Sequence, residues 1–261
     1  MPSNDWISTT TKGRDPTCVT RAQEVAQRCG FPYIERRDSV ARLVRKAKVG
    51  GAYVVGLEKA ELRAEGLRLA VHPSTLHHVR HLGRSHPFLR AVAPEGERVD
   101  RVVDATLGLA KDALHIATFL ECSVVGLEHS PILTCLCEDG LARLGPPWRA
   151  GAARIEVLQA ESRSWLAEQE ADSAEVVVLD PMFETARPAA AGFDLLRRLA
   201  CHDPLDPELL DQARRVASRR VVLKLPRGSK PPDVEKWQQI RGRGLDYFTL
   251  SSCHDGFSAP P

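Results

Sequence analysis

Five short runs rich in β-branched residues recur along the second part of this chain at intervals a helix could fill. They are RVVDA at 101–105, SVVGLE at 123–128, RIEVLQ at 154–159, EVVVLD at 175–180 and RRVVLKL at 219–225. Runs of this kind, apolar without strict polar alternation, suit strands covered on both faces. The segments between them carry helical patterns, so each strand is returned by a crossover and the sheet is expected to be parallel. The expected class is therefore α/β, a doubly wound, Rossmann-like sheet. Ligands of such sheets bind beyond the carboxyl ends of the strands, where the strand order reverses. Functional residues are then expected just after the runs.

The first run opens the stretch VVDATLGLAKDALHIA and ends at Asp104. Thr106 and Gly108 stand where a dinucleotide fold has its Gly-rich turn, and Gly108 lets backbone approach a ligand closely. The second run ends at Glu128, 24 residues after Asp104, an interval suited to an acid that accepts hydrogen bonds from ribose hydroxyls. The third leads to Glu161 and Ser162, polar residues placed to meet an adenine edge. The fourth ends at Asp180. Together these imply a nucleoside-bearing cofactor. A diphosphate is disfavoured, because DATLGLAKD offers one glycine where GxGxxG offers three and adds acids that repel phosphate. The same acids attract a cation, and S-adenosylmethionine carries an ammonium and a sulfonium beside its adenosine. Asp104 and Asp112 read as partners of its methionine moiety. Any one strand-end acid taken alone also serves as a helix cap or loop residue.

The fourth run continues as DPMF at 180–183. This resembles the [D/N]-P-P-[Y/F] motif of methyltransferases that act on exocyclic amino groups of bases. An aryl amine delocalises its lone pair into the ring, so hydrogen-bond acceptors must draw on the NH₂ and aim the lone pair at the methyl donor. The Asp180 carboxylate and the Pro181 carbonyl are the candidate acceptors, and Phe183 the candidate stacking surface. A buried turn after a strand is the other reading of Pro-Met-Phe.

The segments VVDATLGLAKDA, GLEHSP, LQAESRSWL, VVVLDPMF and RRVVLKLP together resemble the RsmJ family and its YpiP-like relatives over most of residues 100–226. The resemblance implies a class I methyltransferase fold with S-adenosylmethionine as cofactor and S-adenosylhomocysteine as product. It implies cofactor contacts at Lys111 and Asp112, Glu128 and His129, Glu161 and Ser162, and Asp180. The characterised branch methylates the N2 amino group of a guanine in small-subunit ribosomal RNA. Two positions depart from that branch: its usual glycine is Ala110 here, and the basic residue after the ribose acid is His129. The first part of the chain resembles the YpiP-like branch, whose substrate the resemblance leaves open, so methylation of a small metabolite stands as the alternative.

The net charge of +2 hides an uneven distribution, with 16 Lys/Arg against 8 Asp/Glu in residues 1–90 and 20 against 26 in residues 91–261. Five of the nine histidines fall between His72 and His86. A Pro/Gly turn in APEGERVDR separates the two regions, giving an expected basic α+β substrate-binding domain at 1–95 and a methyltransferase domain at 96–261. RNA phosphates are the expected partner of Arg36, Arg37, Arg42, Arg45, Lys46, Lys48 and the 72–90 segment. A solvated basic surface is the alternative.

Within the first part, helices are expected at 15–30, capped by Asp15 and stopped by Gly30, and at 74–82. A strand is expected at 51–56 and a loop at TTTKGR, 9–14. Farther on, SPILTCLCEDGLARLG predicts a helix capped by Ser130 and stopped by Gly145. The seven cysteines form no CxxC pair, so neither a disulfide framework nor a metal site is expected. No apolar run approaches the roughly 20 residues of a membrane span, and the first residues lack a signal's apolar core. A cytoplasmic protein is expected.

Overall fold

The computed structural model describes residues 5–12, 15–181, 193–200, 205–233 and 237–252. Its first elements are β1 (Trp6–Thr10), α1 (Pro16–Cys29), α2 (Val40–Ala47), β2 (Gly51–Val55), β3 (Ala60–Ala64) and β4 (Leu67–Leu69). Then come α3 (Ser74–Val79), a 3₁₀ turn (Arg80–Ser85) and α4 (Pro87–Val92). The remainder is β5 (Arg101–Asp104), α5 (Lys111–Phe119), β6 (Ser123–Glu128), α6 (Pro131–Ala142), α7 (Arg149–Ala152), β7 (Ile155–Gln159), α8 (Ser162–Glu168), β8 (Ala174–Leu179), α9 (Phe193–Leu199), α10 (Pro207–Val216), β9 (Ala217–Pro226), β10 (Gln238–Arg241) and β11 (Leu245–Ser251).

The five β-branched runs are β5 to β9, and they lie parallel in a seven-stranded sheet ordered β10-β11-β9-β8-β5-β6-β7. The chain moves outward from β5 to β6 and β7, then returns to the other side of β5 for β8 and β9. The order therefore reverses at β5 and β8. The sheet is not wholly parallel, as expected from the runs alone: β11 pairs antiparallel with β9, and β10 antiparallel with β11. Side chains of the central strands alternate between two buried faces. Val102, Val176, Val178 and Val222 pack with Phe88 of α4 and Leu114 and Ile116 of α5. Val103, Val177, Leu179, Val221 and Leu223 pack with Leu166 of α8 and Leu210 of α10. Burial on both faces explains why these strands lack polar alternation.

The first elements build a four-stranded sheet ordered β1-β2-β3-β4, with β1 parallel to β2 and the rest antiparallel. Here the expected loop at 9–14 is corrected, since Thr9 and Thr10 belong to β1. Its Ser and Thr side chains give turn-like composition, yet Ser8, Thr9 and Thr10 are buried and the backbone pairs with β2. Two helices also differ from expectation. The helix expected at 74–82 yields to the 3₁₀ turn after Val79, where Gly83 takes φ +48°. α6 closes at Ala142 with Arg143 rather than Gly145 at its end, and the Ser130 side chain makes no capping bond. α1 is as expected: Asp15 accepts from the backbone N–H of Thr17 and Cys18 at 3.0 and 3.1 Å, and Gly30 closes it at φ +71°.

The two sheets share apolar packing. Tyr53 and Leu62 of the first sheet lie in one cluster with Val25 of α1, Leu133 and Leu136 of α6 and Leu195 of α9. Within it the Tyr53 hydroxyl donates to Asp139 at 2.5 Å and Arg21 Nε donates to the same carboxylate at 2.8 Å. The 74–92 segment packs with the larger sheet, through Leu76, Phe88, Leu89 and Val92. No helix among the described residues is long and apolar enough to cross a membrane.

Gly126 of β6 faces the loop after β5, and a Cβ there would sit 2.4 Å from Leu107 Cδ1. Gly126→Ala must push that buried side chain and the turn carrying it. It should lower unfolding free energy by on the order of 1–3 kcal/mol in urea titrations.

Candidate functional site

The carboxyl ends of β5, β6 and β8 open into a cleft of about 390 Å³, a size usual for small-molecule sites. From the β5 loop, Thr106, Gly108, Lys111 and Asp112 line it; from β6, Glu128 and His129; from the β7–α8 junction, Glu161 and Ser162; and from β8, Asp180 and Pro181. The structure thus brings together the predicted site residues with two exceptions. Asp104 lies beneath the cleft, 1% exposed, and Phe183 falls outside the described residues.

Glu128 ties two strand ends together. One carboxylate oxygen accepts from the Gly108 N–H at 3.1 Å and the other from the Ser130 N–H at 2.8 Å. Gly108 reaches this bond with φ +54°, a left-handed conformation that glycine adopts without steric cost. On its other side the Gly108 carbonyl accepts from the Cys137 thiol of α6 at 3.0 Å. A second tie runs from β5 to β8, where Thr106 Oγ1 accepts the Asp180 N–H at 2.7 Å. Ser162 donates its hydroxyl to the Ala105 carbonyl. Glu161 caps α8, accepting from the N–H of Arg163 at 2.9 Å and of Ser164 at 2.7 Å. Burial opposes its charge, but the bonds from Ser164 and Arg163 hold its pKa below the usual carboxylate value.

The charges under the cleft are strongly perturbed. Burial pushes Asp104 up to about 7, with help from Asp112 nearby. Its Oδ1 accepts from the Thr106 N–H at 3.1 Å, while buried Oδ2 has no partner. Burial likewise pushes Glu128 up to about 7. Among the described residues, a side chain of this cleft that sequence reasoning missed is Lys224 of β9, whose Nζ donates to Asp180 Oδ2 at 2.7 Å and to Asp112 Oδ2. Its only sequence signal is a lysine inside the otherwise apolar run VVLKL. A charge in a doubly covered strand needs a buried partner, and the two aspartates supply it.

Nucleoside recognition suits this geometry. An acid at the end of the second strand and a left-handed glycine turn, both lining the cleft, fit the ribose and backbone-facing parts of S-adenosylmethionine. Residues 51–243 match the family model described as "Putative SAM-dependent methyltransferase". The chain belongs to this family of S-adenosylmethionine-dependent methyltransferases. It is 42% identical over 170 residues to the ribosomal RNA small subunit methyltransferase J of Laribacter hongkongensis, covering 61% of this chain and 60% of that protein. It is 33% identical over 262 residues to the protein of the same name from Chromobacterium violaceum, covering 93% and 96%. The matches to the first relatives span about three fifths of their length. A methyltransferase structure from Neisseria gonorrhoeae superposes with a TM-score of 0.64 at 20% identity, over 95% of this chain and 96% of that one, which shows the shared class I fold. S-adenosylmethionine is the cofactor of the family. Among the described residues no cluster of His, Cys, Asp and Glu could hold a metal ion.

The raised carboxylates of this methyltransferase have a measurable consequence. In the cofactor-free protein Asp104 and Glu128 each hold more proton when folded than when unfolded between about pH 4 and pH 7, while His115, pushed down to about 4, holds less over part of the same window. The stability contributed by the two carboxylates should therefore fall as pH rises through that window. Urea unfolding at pH 5 and pH 8 isolates the Glu128 part: on going from pH 5 to pH 8, wild type should lose stability relative to Glu128→Gln.

Proposed function

We propose that this chain transfers a methyl group from S-adenosylmethionine to an exocyclic amino group of RNA, the N2 of a guanine in small-subunit ribosomal RNA. The observation that carries the reading is the position of Asp180 and Pro181, lining the cleft at the end of β8 and clasped to the β5 loop through Thr106. The names of the relatives from Laribacter hongkongensis and Chromobacterium violaceum support the choice of RNA.

When bound, the cofactor supplies an electrophilic methyl on a sulfonium. Lys111 and Asp112 at the start of α5 are proposed to face the methionine end, with Asp104 buried beneath the cleft. Glu128 and His129 would meet the ribose, and Glu161 and Ser162 the adenine. The residues of DPMF then act on the target base. Asp180 and the Pro181 carbonyl accept from the amino group and turn its lone pair toward the methyl, and Phe183 stacks on the ring. Asp180→Ala should lower the single-turnover rate on the order of 100-fold at saturating cofactor. Phe183→Ala should chiefly weaken RNA binding, by roughly 1–3 kcal/mol. Tracing radiolabelled methyl into ribosomal RNA checks both. Wild-type transfer by both variants would overturn the mechanism, and label appearing on a small molecule would replace RNA with a metabolite.

Residues 1–95 are proposed to hold the RNA. Residues 66–94 contain no Asp or Glu. On and near α2 the charges divide into two groups. Arg37 pairs with Glu35, and Arg42 and Lys46 share Asp38. Arg45 and Lys48 are exposed and have no carboxylate partner among the described residues. Arg36 donates to the carbonyls of Thr10 and Asp38. It lines, with Arg63 and Arg68, a second cleft of about 560 Å³ between α2 and the β3–β4 hairpin. A ribosomal RNA substrate also puts the protein in the cytoplasm. Replacing Arg36, Arg45 and Lys48 by Ala together should weaken RNA binding and flatten its salt dependence by nearly one unit of log–log slope per lost phosphate contact. Affinities measured from low to physiological salt would reveal this. An unchanged slope would return the patch to a solvated surface.

A further inference from the structure

We propose that Lys224 is a positioning residue for methyl transfer: its ammonium fixes the orientation and the ionised state of Asp180, so that the remaining carboxylate oxygen is available to the target amino group. The inference rests on the reading of Asp180 as the acceptor of that amino group. Lys224 lies on β9, next to β8, and only 8% of its side chain is exposed. Nζ bonds Asp180 Oδ2 at 2.7 Å and also bonds Asp112 Oδ2. Below, it sits 5.4 Å from the centre of the Phe88 ring, whose face attracts a cation. A single ammonium, held from several sides, thus occupies one oxygen of Asp180 and leaves Oδ1 out of that bond.

The surroundings explain why a cation is needed. Asp180 is faced by Asp104 from β5, Asp112 from α5 and Lys224 from β9, and Arg197 of α9 and Arg163 line the same cleft. His115 and Tyr247 pack on the Phe88 ring, His86 packs on both, and all three feel the charge of Lys224. Burial raises the pKa of Asp180, and Asp112 raises it further, while Lys224 lowers it. Burial works against the charge of Lys224 as well, yet the two aspartates hold its pKa above the ordinary value. His115 is pushed down to about 4 by burial and by His86, so it brings no charge near neutral pH. A protonated Asp180 would spend one oxygen as a donor and present the wrong polarity to an amino group. Lys224 prevents this.

The test compares wild type with Lys224→Met and Lys224→Arg. Carbon-detected NMR titration of aspartate carboxyls, without RNA, should place the Asp180 midpoint at least one pH unit higher in Lys224→Met. Single-turnover transfer to ribosomal RNA should fall at least tenfold at pH 7 and recover in part as pH rises, so the acid limb of the rate profile moves up by the same amount. The RNA concentration for half-maximal rate should stay within about threefold. Lys224→Arg, which keeps the charge, should leave the acid limb in place, and it carries the test if the methionine variant does not fold. Wild-type titration and profile in Lys224→Met, or an acid limb displaced equally in Lys224→Arg, would overturn the proposal. Asp180→Ala, which removes the acceptor, separates the two ideas. If it is inactive while Lys224→Met matches wild type, only the role of Lys224 fails. If it transfers methyl at the wild-type rate, the acceptor reading of Asp180 fails, and the role of Lys224 with it.

Discussion

Parallel strands that end side by side leave their loops without backbone partners, and the site exists because side chains take over that task. Glu128 is the central example. Its two oxygens hold the N–H of Gly108 on the neighbouring loop and the N–H of Ser130 at the start of α6. Both bonds help offset the cost of burying a carboxylate, which alone amounts to several kcal/mol. The burial in turn raises its affinity for a proton, so the acid that ties the loops together also makes a site sensitive to what binds beside it. Thr106 plays the equivalent part between β5 and β8. The switch point of the sheet is thus a set of loops joined by side-chain-to-backbone bonds, and the cleft inherits its shape from them.

The central sheet was legible because its physics is local. Each central parallel strand is covered on both faces, so Val102, Val177 and Val222 alike are apolar with no gap in the pattern. The strand-end acids were legible for the opposite reason, since Asp104, Glu128 and Asp180 break apolar runs where a strand must leave the core. What was not legible depends on partners distant in sequence. β1 reads as a polar loop until β2 pairs with it, and β10 and β11 are recognisable as sheet only through β9. Lys224 is the clearest case. A lysine in an apolar strand could snorkel to solvent, and only the folded chain brings Asp112 and Asp180, 112 and 44 residues away, to its ammonium. The roles assigned to Glu161 and Ser162 also gain a second aspect. Both line the cleft, yet one caps α8 and the other bonds the Ala105 carbonyl, so the same polar atoms hold the wall in place.

The basic character of the first part is likewise more structured than a charge count indicates. Several cations near α2 already have carboxylate partners, which leaves a smaller set for an anionic ligand. Salt bridges at exposed positions contribute little to stability, so these pairs are better understood as shaping where positive potential remains.

The Tyr53–Asp139–Arg21 contact has a consequence for how this protein can change over generations. A phenol from the first sheet and a guanidinium from α1 converge on one buried carboxylate of α6, within an apolar cluster drawn from both parts of the chain. Replacing the first part by an unrelated module would take two of its partners from Asp139, leaving Arg143 alone with it, and would uncover Leu133 and Leu136. The two parts of the chain are therefore bound to be inherited together. On the proposed reading of the first part as the RNA-binding one, new substrate preferences would then come from surface residues such as those of α2, rather than from exchange of the whole module.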